Sequence, residues 1–427
     1  MLYKETASKE TPVGRIPEDW KAVRIDSISE VHRGASPRPI GDQKYFSVTG
    51  RGWIRISDVT GAYKYLGKTD QYLSTLGESK SVKVDPGDLI MSICATIGKP
   101  IIIDMKACIH DGFVVFRNLS RDVNAEFLFY FLQKNVRRFR SMKQTGTQGN
   151  LNTTLVGETF IPVPSLGEQK GIIEVLGVVD SAIELVDRVV LKTERLKKGL
   201  MQELLTKGIG HTEYKDTPIG KTPKTWQTVE LGEIIDIMSG QYFKFSEFSE
   251  EGVRCLKIDN VGFGKVVWET STVLPDDYTK QYPELVLNDG DIVLALNRPI
   301  IDNKVKVGIL KKEDSPSILY QRVGKIIIKD TSKVDRQFLF CTFTGEYFRQ
   351  QLSHSLIGTD QPYIRTPILL RIKIPLPPVP EQQRIAKILY EVDKKLELER
   401  REKASLERVK RGLMDLLLTG KVRVKVD

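Results

Sequence analysis

Two basic residues at matching places in the chain, Arg55 and Lys257, are the first candidates for chemistry. Each follows an aliphatic residue and precedes isoleucine, two polar residues and valine, which puts Asp58 and Asn260 in register as well. Arginine can make bidentate contacts to guanine edges, and asparagine to adenine edges. Alternation along a strand would expose the basic residue opposite its apolar neighbours. The pattern predicts base-reading residues on a strand, and a surface strand with ordinary charges is the alternative.

Further candidates lie in polar loops that occupy matching places in the two halves of the chain. Their side chains can bond to base edges or phosphates, and they are Arg33, Arg38, Gln148, Asn150, Tyr242, Lys244, Thr359 and Gln361. Arg137 and Arg138 lie close together on a predicted helix and are candidates for gripping phosphates. Phosphate contacts position a protein on DNA without giving it sequence preference. A solvated helix face is the alternative for these two arginines.

Residue patterns of catalysis and metal binding are missing from the sequence. The glycine-rich segment Gly61–Thr69 has five residues between its glycines, where a phosphate-binding loop needs four. The four cysteines form no CxxC pair, and no histidines are spaced to complete a zinc site. No methyltransferase tetrapeptide of the DPPY or NPPY kind occurs. We therefore expect no catalytic residue, no metal site and no cofactor of the chain's own.

Composition favours an acidic partner. Among the 427 residues, Lys and Arg outnumber Asp and Glu by 65 to 55, which gives a net charge of +10. Such a balance is typical of proteins that bind nucleic acid. No apolar run approaches the roughly 20 residues that span a bilayer, and the polar start of the chain does not resemble a signal peptide. With cysteines that stand singly, these features predict a cytoplasmic protein.

The sequence is duplicated. The stretch from Ile161 to Thr206 returns, at a constant offset and without a gap, from Ile374 to Thr419. The segment TPVGRIPEDW, which ends at Trp20, returns as TPIGKTPKTW, which ends at Trp226. The order is therefore globule, helix, globule, helix. We place the first domain at residues 1–160, the first helix segment at 161–210, the second domain at 211–373 and the second helix segment at 374–427.

The repeated segments predict long helices. Apolar residues recur every three or four positions in both copies, which marks one stripe of a helix. We assign Leu196 to this stripe in the first copy and Val409 in the second. A narrow stripe on a long helix stays exposed unless the two copies pack together. Packing of each helix on its own globule is the alternative.

The short connection after Thr206 forces the second helix to run back along the first. The predicted fold is therefore α+β, with two duplicated α+β domains separated by two long antiparallel helices in a coiled-coil spacer of pseudo-two-fold symmetry. Within each domain, short apolar runs predict strands and one segment near the end predicts a helix. The runs begin at Trp53, Asp88, Pro100, Phe113, Arg254, Asp291, Val305 and Lys325, and the helical segments begin at Phe127 and Phe338.

This layout resembles the DNA-specificity subunit of type I restriction-modification enzymes. The resemblance rests on the paired IPVPSLGEQ and IPLPPVPEQ segments, the paired long helices ending KKGLMQELLTKG and KRGLMDLLLTGKVRV, and the paired openings that end at Trp20 and Trp226. It covers nearly the whole chain. It implies two target-recognition domains, each of which reads one half of a split, asymmetric sequence in double-stranded DNA, with the helices setting the spacing between the halves.

The resemblance also implies partners. Two methyltransferase subunits, which bind S-adenosylmethionine and methylate adenine, would dock along the helices, and restriction subunits would join to translocate and cleave DNA. S-adenosylmethionine, ATP and magnesium are expected on those partners only. We assign the residues at the helix starts, Glu168, Gln169, Glu381 and Gln382, to the partner interface. The alternative function is a stand-alone architectural protein that bridges two DNA sites.

Overall fold

Both predicted helices are single uninterrupted elements, Leu166–Leu204 and Val379–Leu417, which we call the first and second long helix. They belong to a computed structural model that describes residues 2–142 and 151–425. Proline-containing strands, Phe160–Val163 and Lys373–Leu376, lead into them. A proline disfavours helical backbone at the residue before it, so the chain stays extended until each helix begins.

The chain forms two compact units. The first unit comprises Met1–Val189 and Glu399–Asp427, and the second comprises Val190–Leu398. Each unit contains one globule and one half of each long helix, so the units cut across the four predicted segments. The division follows packing: Leu176 and Leu417 lie in the core of the first unit, whereas other parts of the same helices lie in the core of the second.

In the first unit the two helix halves run antiparallel. Asp180 forms an ion pair with Lys410 at 2.6 Å, and Asp187 forms one with Lys403 at 2.5 Å. A forward step along the first long helix therefore matches a backward step along the second, as predicted. The Asp180 carboxylate also accepts a hydrogen bond from the Tyr130 hydroxyl at 2.7 Å. Burial, followed by this bond, raises the pKa of Tyr130.

The second unit repeats this antiparallel packing. Lys197 forms an ion pair with Asp393, while Leu204, further along the first long helix, shares a core with Ile385 and Leu389. Polar and charged side chains thus occupy positions along the packed faces of the helices. Such groups fix the register of a coiled coil at some cost in stability.

Leu196 and Val409, which the sequence assigned to the apolar stripe, are exposed, with 54% and 51% of their surface accessible. That assignment was wrong. The heptad through Val186 and Val190 continues to Thr193, which is buried, rather than to Leu196. In the second long helix Lys410 holds the packed position next to Val409. Both apolar side chains are therefore left on the outside of the helix pair in their own unit.

The globule of the first unit is built on two five-stranded sheets and smaller strand pairs. In pairing order, one sheet contains Val82–Val84, Ala107–Ile109, Arg51–Ile54, Tyr72–Leu73 and Phe46–Ser47, and the other contains Glu30–Arg33, Phe113–Arg117, Leu89–Ser92, Pro100–Ile103 and Tyr65–Leu66. The strand pairs are Ser8–Thr11 with Gly14–Pro17, Lys21–Arg24 with Phe160–Val163, and Leu2–Lys4 with Val422–Val424. Its helices are Ile56–Thr60, Thr75–Glu78, Ala125–Lys134, Val136–Ser141 and Thr153–Gly157.

The second globule has a corresponding plan with two four-stranded sheets. In pairing order, these contain Ile235–Ser239, Val323–Ile328, Ile292–Ala295 and Val307–Ile309, and Val273–Leu274, Val253–Leu256, Ser317–Leu319 and Val286–Leu287. The strand pairs are Tyr214–Thr217 with Gly220–Pro223, Gln227–Glu230 with Lys373–Leu376, and Ile300–Ile301 with Lys304–Val305. Its helices are Leu231–Ile234, Tyr278–Gln281, Arg336–Thr344, Glu346–His354 and Thr366–Leu369.

The predicted α+β composition is confirmed, and every run predicted as strand overlaps one, although the runs from Trp53 and Arg254 continue past their strands into helical turns. Each predicted helical segment is instead two successive helices, interrupted at Asn135 in the first unit and at Gly345 in the second. The Asn135 side chain donates to the Phe131 carbonyl and so competes with the helical backbone bonds. Within residues 2–142 and 151–425, no helix combines the length and apolar character needed to cross a membrane.

The Asp180 ion pair yields a prediction for stability. Asp180→Ala would leave the largely buried Lys410 ammonium without this carboxylate, so we expect the first unit to lose about 3–5 kcal/mol of stability. Hydrogen-exchange mass spectrometry in urea can resolve the two units. Glu203→Ala, which breaks an exposed pair with Lys207, is the control and should cost no more than about 1 kcal/mol. Equal losses in the two variants would contradict the structural importance of Asp180.

Candidate functional site

A pair of parallel strands positions Arg55 in the first unit. Arg51–Ile54 pairs in parallel with Ala107–Ile109, and the last residues of the two strands are partners. The residues that follow them, Arg55 and His110, therefore emerge at the same edge of the sheet. The Arg55 side chain is exposed there.

The same arrangement positions Lys257 in the second unit. Val253–Leu256 pairs in parallel with Ser317–Leu319, again with the last residues as partners. Lys257 and Tyr320 follow these strands, and the Lys257 ammonium lies 5.3 Å from the centre of the Tyr320 ring and 4.4 Å from that of Phe248. A cation over an aromatic face is attracted to it. The matched sequence pattern thus reflects a matched place in the two units.

The strand interpretation of these two positions was wrong in one respect. Arg55 and Lys257 lie just beyond their strands and cap a short helical turn. The backbone N–H of Arg55 donates to the Asp58 carboxylate at 2.7 Å, and that of Lys257 donates to the Asn260 side chain at 3.0 Å. A polar residue three positions after a cap commonly bonds back to it. Asp58 and Asn260 thus have a structural role that explains their shared spacing.

Asn260 does not fit the base-reading role assigned to it. Only 3% of its surface is exposed, and its amide group donates to the carbonyls of Val267 and Thr270 at 3.0 and 2.9 Å. The side-chain oxygen and amide nitrogen that would bond to an adenine edge are therefore already bonded within the unit. Asp58 is half-buried, and its second carboxylate oxygen accepts from the Asp70 backbone.

Arg33 and Arg38 converge on Asp111, the residue after His110. The Arg33 guanidinium donates to the Asp111 carbonyl at 2.8 Å, and that of Arg38 donates to its carboxylate at 2.9 Å. Burial alone would raise the pKa of Asp111, but the Ser36 hydroxyl and the Arg38 charge lower it below its usual range. The structure thus brings the predicted Arg33, Arg38 and Arg55 to one edge of the first unit.

His110 was missed by the sequence analysis. Its ring packs against Trp53 and Phe113, and its Nδ1 accepts the Gly112 N–H at 2.7 Å. Burial lowers the pKa of His110, and the nearby Arg55 charge lowers it further, while Asp111 opposes both. The neutral ring therefore carries its proton on Nε2 and offers a donor. The one sequence signal is that His110 directly follows the apolar run ending at Ile109.

Tyr320 and Tyr242 form the corresponding edge of the second unit. The centres of their rings are 6.3 Å apart, so two residues that the sequence singled out, Tyr242 and Lys257, both lie against Tyr320. Lys244 is exposed nearby in the chain, and its backbone N–H donates to Glu247. Tyr320 itself was missed, although it also directly follows an apolar run.

In both units a glycine packs tightly against the backbone at this edge. The N–H of Gly34 donates to the Phe113 carbonyl, and the N–H of Gly240 donates to the Val323 carbonyl. A Cβ atom at Gly34 would lie 2.1 Å from the His110 oxygen, and one at Gly240 would lie 2.2 Å from the Tyr320 oxygen. Any larger side chain would therefore push the strands apart. The two units share a scaffold that presents different side chains.

The predicted loop of Thr359 and Gln361 is exposed in the second unit. It lies against Arg298, whose backbone N–H donates to the Pro362 carbonyl at 2.6 Å. Arg298 is exposed and has a φ of 45°, a left-handed conformation that costs energy in residues with a side chain. Ala95, at the corresponding place in the first unit, has a φ of 50°. Arg298 is a further basic residue that the sequence analysis missed.

The other predicted DNA-binding residues lie elsewhere in the first unit. Arg137 and Arg138 are exposed on the helix Val136–Ser141, and Arg138 lines a shallow cavity with Lys134 and Thr419. Gln148 and Asn150 lie outside the described residues.

The first pair of residues assigned to a partner interface is buried. Glu168 is only 2% exposed and accepts hydrogen bonds from the Trp20 indole at 3.0 Å and from Arg423 at 3.0 and 2.8 Å. Gln169 is fully buried, accepts from the Asn124 backbone N–H and donates to backbone carbonyls. These side chains anchor the globule to the start of the helix and cannot face a partner.

The second pair repeats these contacts. Glu381 accepts from the Trp226 indole at 2.9 Å and bonds to the His211 ring at 2.8 Å. Gln382 is fully buried, accepts from the Asp335 backbone N–H and donates to backbone carbonyls. The interface assignment was therefore wrong for all four residues. The repeated tryptophans, Trp20 and Trp226, thus make the same hydrogen bond to these carboxylates in the two units.

Comparison with known proteins agrees with this duplicated plan. The family model described as "Type I restriction modification DNA specificity domain" matches residues 17–191 and 223–408. The type I restriction enzyme MjaVIII specificity subunit of Methanocaldococcus jannaschii is 42% identical over 99% of this chain and 98% of its own length. A putative type I restriction enzyme MjaX specificity subunit of the same organism is 30% identical over the same shares.

A solved structure shares the fold. The S subunit of a type I restriction-modification system from M. genitalium superimposes with a TM-score of 0.58 at 16% identity, covering 93% of this chain and 96% of that one. Together, the family model and the two relatives show that the chain belongs to the family of type I restriction-modification DNA specificity subunits.

Proposed function

We propose that this chain is the sequence-specific DNA-binding subunit of a type I restriction-modification complex, in which each unit reads one half of a split, asymmetric target. One observation carries the proposal. The two units build the same edge from parallel strands and a closing glycine, yet they present Arg55 and His110 in one and Lys257 and Tyr320 in the other. A common scaffold with different side chains suits two readers of different half-sites.

The edge of the first unit offers donors. Arg33, Arg38 and Arg55 carry guanidinium groups, and His110 adds a ring N–H. Purine N7 and guanine O6 are acceptors in the major groove, so this edge suits a half-site that presents such atoms. The edge of the second unit offers Lys257, the hydroxyl group of the exposed Tyr242 and the exposed amide of Gln361. Arg137 and Arg138 would contact phosphates, which gives affinity without sequence preference.

Exposed apolar residues on the long helices support docking of partner subunits. Leu185 and Leu398 occupy equivalent positions in the two copies and are 56% and 57% exposed, and the equivalent Leu196 and Val409 are also exposed. Leu185 and Val409 lie in the first unit, and Leu398 and Leu196 lie in the second, so each unit presents one residue of each equivalent pair. We propose that one methyltransferase subunit docks on the helix halves of each unit, giving two per chain.

The division of labour follows from this proposal. The chain would contribute recognition, while S-adenosylmethionine would bind to the methyltransferase subunits, and ATP and magnesium to restriction subunits that translocate and cleave DNA. A stand-alone protein that bridges two DNA sites is the alternative. It would not account for the exposure of apolar residues at equivalent positions in both copies of the helix.

Substitution of the matched basic residues tests the reading of half-sites. We expect Arg55→Ala to cost about 1–3 kcal/mol of specific binding and to relax one half of the target, because a base-edge contact is lost. Lys257→Ala should relax the other half. The measurement is a map of methylated adenines in DNA exposed to the complex with its methyltransferase, together with competition binding.

Two controls accompany this test. Arg138→Ala should weaken binding to all sequences alike and reduce the salt dependence, as expected for a phosphate contact. Arg55→Lys keeps the charge but loses the bidentate geometry, and it should behave more like Arg55→Ala. Equal losses on specific and random DNA for Arg55→Ala would reassign Arg55 to the phosphates. A single undivided target in the wild type would refute the proposed function.

The docking proposal predicts stoichiometry. Introducing glutamate at both Leu185 and Val409, which lie in the first unit, should place charges in one docking surface and reduce the bound methyltransferase from two copies to one. Native mass spectrometry of the reconstituted complex measures this directly. The matched control, Leu185→Met with Val409→Ile, keeps the surface apolar and should retain two copies. Two copies bound to the glutamate variant would place the docking surface elsewhere.

A further inference from the structure

Phe245 presents its ring to solvent in the second unit, with 91% of its surface exposed. We propose that this ring is a wedge that stacks against bases in the half-site read by the second unit and unstacks a base step there. The inference rests on the proposed function, because it requires that the second unit contacts double-stranded DNA. It assigns to the second unit a mode of reading that the first unit lacks.

The ring is held on a fixed support. Phe245 begins a single turn, Phe245–Glu247, in which the Lys244 N–H donates to the Glu247 carboxylate at 2.6 Å. The other carboxylate oxygen of Glu247 accepts from the Tyr278 hydroxyl at 3.0 Å. Phe243, two residues earlier, is buried with its ring 5.5 Å from that of Tyr278. The segment is thus tied to the core on one side while Phe245 is left outside.

The position of Phe245 relates it to the candidate site. The exposed Tyr242 precedes it and Phe248 follows it, and both of these rings lie 6.2–6.3 Å from Tyr320. The Lys257 ammonium lies within 5.3 Å of the ring centres of both Phe248 and Tyr320. Phe245 therefore belongs to the same short segment that forms the aromatic and basic edge of this unit. An aromatic ring beside a cation suits a ligand that has both bases and phosphates.

A single exposed apolar residue needs no special explanation by itself. Here, however, the ring is exposed on a hydrogen-bonded turn. Its neighbours in the chain, Tyr242 and Lys244, occupy the place that Arg33 and Arg38 have in the first unit. Proteins that kink DNA insert apolar side chains between base pairs, and stacking of a base on an aromatic ring contributes about 1–3 kcal/mol. Duplex DNA is therefore the occupant that accounts for the exposed ring, its hydrogen-bonded support and its neighbours together.

The corresponding segment of the first unit has no such ring. It contains the turn Gln43–Tyr45, in which the aromatic residue Tyr45 is buried and donates its hydroxyl to the Arg38 carbonyl. Its most exposed apolar residue is Val48, also at 91%, which is aliphatic and cannot stack as a ring does. We therefore expect base unstacking in one half of the target only. Val48 also provides a matched control.

The test uses the complete chain with its methyltransferase subunits and a duplex that carries the mapped target. The probe is 2-aminopurine, whose fluorescence rises when it is unstacked, placed in turn in each half-site at positions other than the methylated adenine. The wild type should raise the fluorescence several-fold at one step of the second unit's half-site. Phe245→Ala should abolish that rise and weaken specific binding by about 5- to 150-fold. Phe245→Trp should preserve both.

Val48→Ala should change neither the fluorescence nor the affinity at the second unit's half-site. If Phe245→Ala leaves both unchanged while the complex still methylates a split target, the wedge is refuted and the proposed function stands. If the wild type shows no preference for a split target, the proposed function itself fails. Because Phe245 is exposed, unchanged hydrogen exchange of the variant's core would show that lost binding does not reflect unfolding.

Discussion

A buried carboxylate at the start of each long helix is the interaction on which the rest of the structure depends. Glu168 and Glu381 each accept the indole N–H of a tryptophan that lies just after the opening hairpin of its globule. An ionised carboxylate removed from water must be compensated by hydrogen bonds or charge. In the first unit the Arg423 guanidinium supplies charge, and in the second the His211 ring and the Ile209 backbone N–H bond to the carboxylate. The edge residues can diverge because this anchor orients the globule on its helix.

The polar contacts between the helix halves have a second effect. Where Asp180, Asp187 and Asp393 meet lysines, the packed positions that leucines would otherwise fill are taken by charged groups. Apolar residues next to these positions, such as Leu196, then lie outside. Charge pairs that fix the register therefore also generate the exposed apolar residues. One feature of the sequence thus accounts both for the register of the helices and for the apolar residues that they leave exposed.

The duplication made the helices, the strands and the matched places of Arg55 and Lys257 predictable, since each half checks the other. It could not distinguish a shared reading role from a shared cap, so Asn260 was assigned to bases although it bonds inside its unit. His110 and Tyr320 were missed because they reach the edge through parallel pairing of strands distant in sequence. The local signal in the chain is limited to the apolar run that directly precedes each residue.

The pairing of Leu2–Lys4 with Val422–Val424 has a consequence for synthesis on the ribosome. Arg423 bonds to Glu5 across 418 residues of chain, whereas the second unit is one continuous stretch. At about 5–20 residues per second, the opening strand waits about 20–80 s for its partner strand at the other end of the chain. Until then the Glu168 carboxylate can accept its hydrogen bond from Trp20 but not those from Arg423. The second globule can therefore be complete while the first is still an unfinished nascent domain, which exposes that domain to chaperones and proteases for longer.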